Sequence, residues 1–408
     1  MSDKQKALDF DIKQIDQAFL DDPFPTYKLL REHDPVHLNP DGSYFLSRYD
    51  DVVQSFRHPA MSSDKTIDFK PKFGDGPLYV HHTTSLVFND PPIHTRVRKL
   101  LSEAFTPRKL AELEPVIEGI IDRLLDRLAD QGEFDVVNDY ALALPTEIIA
   151  DMLGVPEEHR HKLHNYSNLI LGALDPVVSP EKIAEGHAAV EEFGALLEEL
   201  IAERRQTPDG AEMGEVLASL IFGEVDGDKL SPVELVQNCI FLLNAGHETT
   251  ANLVGNGVSI LLDYPDQLQR LREEPDLIKP AVEEFLRFQS PLQIGNRKAM
   301  EDVEFGPEGG RIMIPAGAFI HTSIGAANRD PEQFENPEKV DIGRRPNPQL
   351  AFGVGKHICM GNTLGRIEGH VAVGKFIARF PNLKAAGEKR YHGRARFRGL
   401  DVLPVAVT

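Results

Sequence analysis

The stretch that most constrains the fold is a helix with a marked start and a marked stop. Ser231-Pro232-Val233-Glu234 combines a capping box with proline at the first helical position. A helical pattern then runs through Leu262 to Pro265, some thirty residues, or roughly 45 Å at 1.5 Å each. A rod of that length crosses a whole domain, so the rest of the chain has to wrap around it. Gln237, Asn238, Asn244, His247, Glu248 and Asn252 interrupt its apolar surface, which excludes a membrane span.

The remaining pattern is helical in the middle and strand-like only near the ends. Pro25–Glu32 reads as a helix, followed by a hairpin, VHL-NPDG-SYFLS, turned by Asn39-Pro40-Asp41-Gly42. From about His94 to Ile260, stretches such as LEPVIEGIIDRLLDRLADQG and HAAVEEFGALLEELIAERR carry apolar residues at spacings of three and four. In GGRIMIPAGAFIHTSIG, Pro315-Ala316-Gly317 separates two β-rich pieces. With 41% hydrophobic residues in 408 and no repeat or low-complexity linker, the expectation is one interlocked, mainly α domain with small β-sheets over 1–408. Residues 1–20 are expected to form a flexible N-terminal extension.

Charge and sulfur narrow the function. A formal net charge of −20 repels nucleic acid and anionic membranes, so neither is an expected partner. MSDKQKALDFDIKQ has no apolar core of a signal peptide. Two cysteines cannot build a disulfide framework, which points to a reducing, cytoplasmic setting.

Several clusters carry chemistry, each beside a plainer alternative. In the long helix, Ala245-Gly246-His247-Glu248-Thr249-Thr250 places small residues next to an acid and a hydroxyl. They can form a groove for a flat ligand, with groups that move protons, or a tight helix crossing with a solvated Glu. Glycine costs about 1 kcal/mol at such a position relative to alanine. Glu284 and Arg287 lie three apart on one helix face, where a surface ion pair is the ordinary outcome. His94 and Arg98 are one helical turn apart and can meet the same anion; Arg297 and His357 are further candidates.

The other cluster is AFGVGKHICMGN, Ala351 to Asn362. Cys359 has no second cysteine nearby, which excludes a structural zinc or iron-sulfur site. A lone cysteine is a buried hydrophobe, a nucleophile or a single soft metal ligand. The stripe Leu364, Ile367, Val371 and Ile377 predicts a helix just after it, whose amides favour a thiolate. The surrounding glycines leave room for a broad planar ligand. Haem iron with an axial thiolate fits this chemistry.

Together these motifs resemble the cytochrome P450 family of haem-thiolate monooxygenases in its soluble bacterial form. Phe352, Gly355, Cys359 and Gly361 match F-x-x-G-x-x-x-C-x-G; Ala245, Gly246, Glu248 and Thr249 match A-G-x-E-T. Glu284 and Arg287 match E-x-x-R, with Arg344 resembling the third member of that structural network, and DPPIHTRVR resembles the segment that holds a haem propionate. Order and spacing agree from about Asp22 to the C-terminus; the one small departure is Met360, where Leu, Ala or Val is more usual.

The resemblance implies a triangular, helix-rich single domain with haem b between the long helix and the cysteine-loop helix. It implies Cys359 as axial iron ligand and His94, Arg98, Arg297 and His357 on the propionates. Phe352, Gly353, Gly361, Ala245 and Gly246 would be further cofactor contacts. Glu248 and Thr249 would deliver protons for catalysis, Thr250 would be a silent neighbour, and His247 would have no role. Electrons would come from a ferredoxin or flavodoxin with its reductase, since 408 residues leave no room for a flavin or iron-sulfur domain. Arg96, Arg98, Lys99, Arg108 and Lys109, with Lys356 and Arg366 flanking Cys359, form an expected basic docking island. The alternatives are a peroxide- or NAD(P)H-driven enzyme, or a haem-binding sensor or carrier without turnover. The expected state is a monomer. Pocket walls are expected from Met61–Phe88, Tyr166–Leu174, Leu242 to Ala245, and Pro291 to Ile294, with Leu242, Ala245, Leu292 and Ile294 as contacts. The last two segments are uncharged, which points to a neutral, mainly apolar substrate.

Overall fold

The computed structural model describes residues 1–206 and 215–408. Its axis is the helix Pro232–Asp263. Ser231 Oγ accepts from the Glu234 amide at 3.3 Å, and the Glu234 carboxylate accepts from the Ser231 amide at 2.9 Å. From His247 to Leu261 almost every residue is buried, so the polar interruptions in its sequence serve neighbouring segments rather than water. Asn238 Oδ1 accepts from the Leu86 amide at 3.0 Å, and Asn256 Nδ2 donates to the Arg398 carbonyl at 2.9 Å. Two glycines set the crossings of this axis. A Cβ at Gly257 would lie 2.9 Å from Phe285, and one at Gly369 would lie 2.9 Å from Leu253. The helices Ile278–Phe288 and Asn362–Arg379 thereby pack closely against it.

The main sheet has five strands, in the order Val36–Leu38, Tyr44–Leu46, Phe319–Ser323, Ile294–Ala299, Met61–Ser62. Only the Tyr44–Leu46 and Phe319–Ser323 pair is parallel, with Tyr44 opposite Ile320. The Asn39–Ser43 turn forms as expected, with Gly42 at φ 85 and the Ser43 amide donating to Asp41 Oδ1. Gly317, at φ 87, lies between Ile312–Ile314 and Phe319–Ser323, and the two strands join different sheets.

Residues 1–20 are not a loose extension. They contain the helix Asp3–Leu8 and the start of Gln17–Asp21, and Ala7, Phe10, Ile12 and Phe19 are buried. Phe10 packs edge-on against Phe45 of the sheet, and the Ile12 amide donates to Asn39 Oδ1. The apolar residues of this segment cover one side of the sheet, and that burial holds it in place.

Glu284 and Arg287 are wholly buried, not a surface pair. Arg287 Nε and Nη2 each donate to the Glu284 carboxylate at 2.8 Å, and Arg344 Nε joins at 3.0 Å. The guanidinium also donates to the carbonyls of Asn328, Pro337 and Lys339. The Asp341 amide and Asn347 Nδ2 fill the remaining carboxylate sites. Removing one partner of such a pair strands a buried charge. Arg287→Ala is therefore expected to lower unfolding stability by about 3–5 kcal/mol, read from urea midpoints. Arg287→Lys should recover only part of the loss, because lysine lacks the planar fork.

Candidate active site

The segment 351–361 and the middle of the central helix both line one cavity of about 350 Å³. The Cys359 amide donates to the Phe352 carbonyl at 2.8 Å, which closes the loop. Two positions in the loop need glycine: Gly353 and Gly355 have φ 65 and 78, and a Cβ at Gly355 would lie 2.7 Å from the Phe56 carbonyl oxygen. At Gly361, by contrast, a Cβ would meet no protein atom, and that residue lines the cavity. The Cys359 surface opens into the same space. Burial raises its thiol above the ordinary value, opposed by the Gly361 amide, Arg98 and Arg366. The Gly361 amide beside the helix start favours a thiolate in the expected direction, burial outweighs it, and a bound metal would hold the sulfur deprotonated.

His94, Arg98, Arg297 and His357 are all brought to the cavity. His94 and His357 have ring centroids 4.0 Å apart, and the buried His94 Nε2 has no partner. Burial and the neighbouring cations push His357 down to about 3 and lower His94; burial pushes Arg297 down to about 10. Such crowding of like charge is relieved by anions, and a ligand with two carboxylates fits. No group of three or more His, Cys, Asp or Glu that could hold a metal occurs among the described residues, so Cys359 stands as a single ligand. The residues present fit a haem.

On the central helix Ala245 and Thr249 face the cavity, and Thr249 Oγ1 donates to the Ala245 carbonyl at 2.6 Å. Gly246 lines the cavity as well and also serves a helix crossing, since a Cβ there would lie 2.9 Å from Ile149. Glu248 is not solvated. Its Oε1 accepts from Arg394 Nη1 at 2.6 Å, while Oε2 is buried without a partner. Burial raises its carboxyl, with Arg394 opposing. Arg394 also reaches Asp175 at 3.3 Å. His247 faces the core, with Nε2 3.0 Å from Thr146 Oγ1. Thr250 is not silent, because its hydroxyl donates to the buried Glu368 at 2.8 Å.

Of the expected pocket contacts, Leu242, Ala245 and Leu292 line the cavity. Ile294 does not. Strand alternation turns it into the cluster of Tyr27 and Phe45, while Gly295 and Arg297 face inward. The stretches 61–88 and 166–174 contribute residues such as His82, Phe88, Leu171 and Leu174. Arg394, Arg396 and Phe397, from the C-terminal hairpin, were not foreseen. Nothing local in the sequence joins them to the site; long-range backbone pairing of 291–294 with 396–398 does, including the bridge between Leu292 and Phe397.

The family model described as cytochrome P450 matches residues 35–390. The chain belongs to the cytochrome P450 family. A vitamin D(3) 25-hydroxylase of Pseudonocardia autotrophica is 39% identical, with 96% of this chain and 95% of the relative aligned. Cytochrome P450 107B1 of Saccharopolyspora erythraea is 38% identical over 97% of both. A crystal structure of P450BioI, in complex with hexadec-9Z-enoic acid ligated acyl carrier protein, superposes with a TM-score of 0.88. It is 34% identical, covering 96% of this chain and 100% of that one. Membership establishes the mainly helical P450 fold, the monooxygenase class acting on organic substrates, and haem b held by a cysteine thiolate as the cofactor. Among the described residues no helix is long and apolar enough to cross a membrane.

The P450 chain does not carry the expected basic island as free charge. Arg96 pairs with Asp228 and Glu234, Lys99 with Asp226, Arg108 with Glu112, and Arg366 with Glu283. Lys109 donates to Ser219. The acids come from the 226–234 segment and neighbouring helices, which sequence adjacency did not reveal. Arg98 and Lys356 make no ion pair among the described residues.

Burial pushes the Glu368 carboxyl up to about 8, against the pull of the Thr250 hydrogen bond. Between its ordinary value of 4.5 and about 8 the unfolded chain ionises here while the folded chain keeps its proton. Stability from this site therefore falls as pH rises through that window. Urea unfolding from about pH 5 to about pH 8 should show a steeper decline for the wild type than for Glu368→Gln. Parallel curves would exclude the raised carboxyl.

Proposed function

We propose that this P450 inserts one atom of dioxygen into a C–H bond of a small to medium, mainly apolar organic molecule. In this reading it takes electrons from a ferredoxin or flavodoxin with its reductase, as a cytoplasmic monomer. The observation that carries the proposal is the lone Cys359 thiol, opening into the cavity that Thr249 also faces. Cys359 would ligate the haem iron, and His94, Arg98, Arg297 and His357 would receive the two propionates, whose charge would offset that of Arg98 and Arg297. Phe352, Gly353, Gly361, Ala245 and Gly246 border the cofactor. The haem, when bound, supplies oxygen activation and transfer.

The protein's own part is proton handling and orientation. The hydrogen of the Thr249 hydroxyl is committed to the Ala245 carbonyl, so its oxygen is left to accept from a donor in the cavity. Glu248 is the acid behind it. Its raised carboxyl favours holding a proton, while Arg394 fixes one of its oxygens. Glu284, Arg287 and Arg344 are structural: they hold the segment that leads to the cysteine loop. For an acidic redox partner, the exposed Lys356 is the remaining free base beside Cys359 in sequence.

Reduced protein under carbon monoxide is expected to show the strongly red-shifted Soret band of thiolate ligation, and Cys359→His to abolish it. Survival of that band in the variant would remove Cys359 from the ligand position. Thr249→Ala should keep haem content and substrate affinity but divert reduced nicotinamide into hydrogen peroxide, lowering product per electron pair. Glu248→Gln should instead slow oxygen consumption, by roughly 10²–10⁴-fold if the carboxyl is a general acid. Full coupling in Thr249→Ala would return that hydroxyl to a packing role.

A further inference from the structure

Arg396 lies on the C-terminal hairpin between Tyr391 and Leu400, and its side chain lines the cavity beside Phe397 and Leu292. Its backbone is fixed, because the Arg396 carbonyl accepts from the amides of Gln293 at 2.8 Å and Ile294 at 3.4 Å. Its guanidinium is not. Among the described residues it makes no ion pair and no side-chain hydrogen bond, and its Nε is buried without a partner. Three other enclosed arginines differ, while Arg297 also lacks an ion pair but donates to the Asn296 carbonyl at 2.7 Å. Arg287 is bound by Glu284, Arg329 by Glu338 and the Phe288 carbonyl, and Arg398 by Gln289 and the carbonyls of Leu20 and Asp21.

The surroundings are mainly cationic; the nearby acid, Asp175, engages Arg394 through Oδ2 and leaves Oδ1 buried without a partner, but makes no ion pair with Arg396. Arg394 is occupied by Glu248 and Asp175, and Lys72 Nζ donates to the Asp175 carbonyl at 3.0 Å. Lys65 and Lys298 share Asp68, at 4.0 and 2.8 Å. Burial, with mutual repulsion added, pushes Lys65 down to about 7 and Lys72 to about 8. Burial likewise pushes Arg396 down to about 10, with Asp175 nearby but not paired to it. A desolvated cation with no anion is costly. Leu171, Leu174, Phe241 and Phe397 give the cavity a large apolar share of its wall.

We propose that Arg396 anchors a carboxylate of the substrate, so that the cavity takes an apolar molecule with one anionic end. The sequence expectation of a neutral substrate is replaced by an amphipathic one. A guanidinium suits this role because it can give a carboxylate two parallel N–H···O bonds. Leu242, Ala245 and Leu292 are left to receive the apolar body. The inference rests on the monooxygenase reading of the same cavity.

The test uses the haem-loaded protein with octanoic, dodecanoic and hexadecanoic acids and their methyl esters. Dissociation constants are read from the Soret shift and from calorimetry at neutral pH. The best acid is expected to bind the wild type roughly 10- to 100-fold tighter than its ester, the span of a charge-assisted hydrogen bond. Arg396→Gln should bring the acid to the ester's affinity and leave the ester unchanged. Equal binding of acid and ester, no binding of either, or unchanged acid binding in Arg396→Gln would each overturn the proposal. So would haem loss in that variant with acid affinity retained, which would assign the guanidinium to a propionate. The carbon monoxide band of the wild type separates the two readings. If it is absent, the monooxygenase reading fails; if it is present without acid preference, only the Arg396 anchor fails.

Discussion

A guanidinium sealed from water organises the region behind the site. Arg287 has nowhere to release its charge, so it gathers every acceptor within reach: both oxygens of Glu284 and three backbone carbonyls between Asn328 and Lys339. Those carbonyls belong to the long irregular segment that runs into the cysteine loop. Without regular structure of its own, that segment is shaped by the charge it surrounds. Asn328 continues the chain of contacts, since its Oδ1 accepts from the Leu350 amide just before the loop begins. The position of Cys359 thus depends on a buried ion pair that never touches the cavity.

The second organising feature is the central helix, which is both core and active-site wall. Its Gly246 and Gly257 admit Ile149 and Phe285, while Thr249 and Ala245 face the cavity from the same turns. Glu248 and Thr250 leave the helix in other directions, toward Arg394 and Glu368. Three consecutive residues therefore take different partners: Glu248 an ion pair behind the wall, Thr249 its own helix carbonyl, and Thr250 the Glu368 carboxyl, the last two at the cavity wall.

The sequence made these elements legible to different degrees. The capped helix, the Asn39–Ser43 turn, the cysteine loop and the four cationic groups around the cavity are carried by local patterns, such as a capping box, turn residues and one-turn spacing. What stayed hidden is set by distant pairing. Ile294 looked like a pocket residue because its segment is apolar, but strand alternation sends it the other way. Arg96 and Lys99 looked like part of a charged face because their acids lie more than a hundred residues away at Asp226, Asp228 and Glu234. Arg394 and Arg396 sit in a stretch with no motif, and they reach the site only when the C-terminal hairpin folds over it. Gly246, read as making room for a ligand or a helix, borders both the cavity and Ile149.

The docked N-terminal segment has a consequence for how the chain is made. Arg398 holds the carbonyls of Leu20 and Asp21, the latter across 377 residues of sequence. Phe10, Ile12 and Phe19 share their cluster with Ala326 and Ala395. At a synthesis rate of 5–20 residues per second, the arginine that fastens Asp21 emerges roughly 20–75 s after it. For that interval the three apolar side chains can meet only the early part of their cluster, such as Tyr27 and Phe45, which stays open where Ala326 and Ala395 later close it. A cluster begun by residues from Ala7 to Phe45 is thus completed only by Ala326 and Ala395.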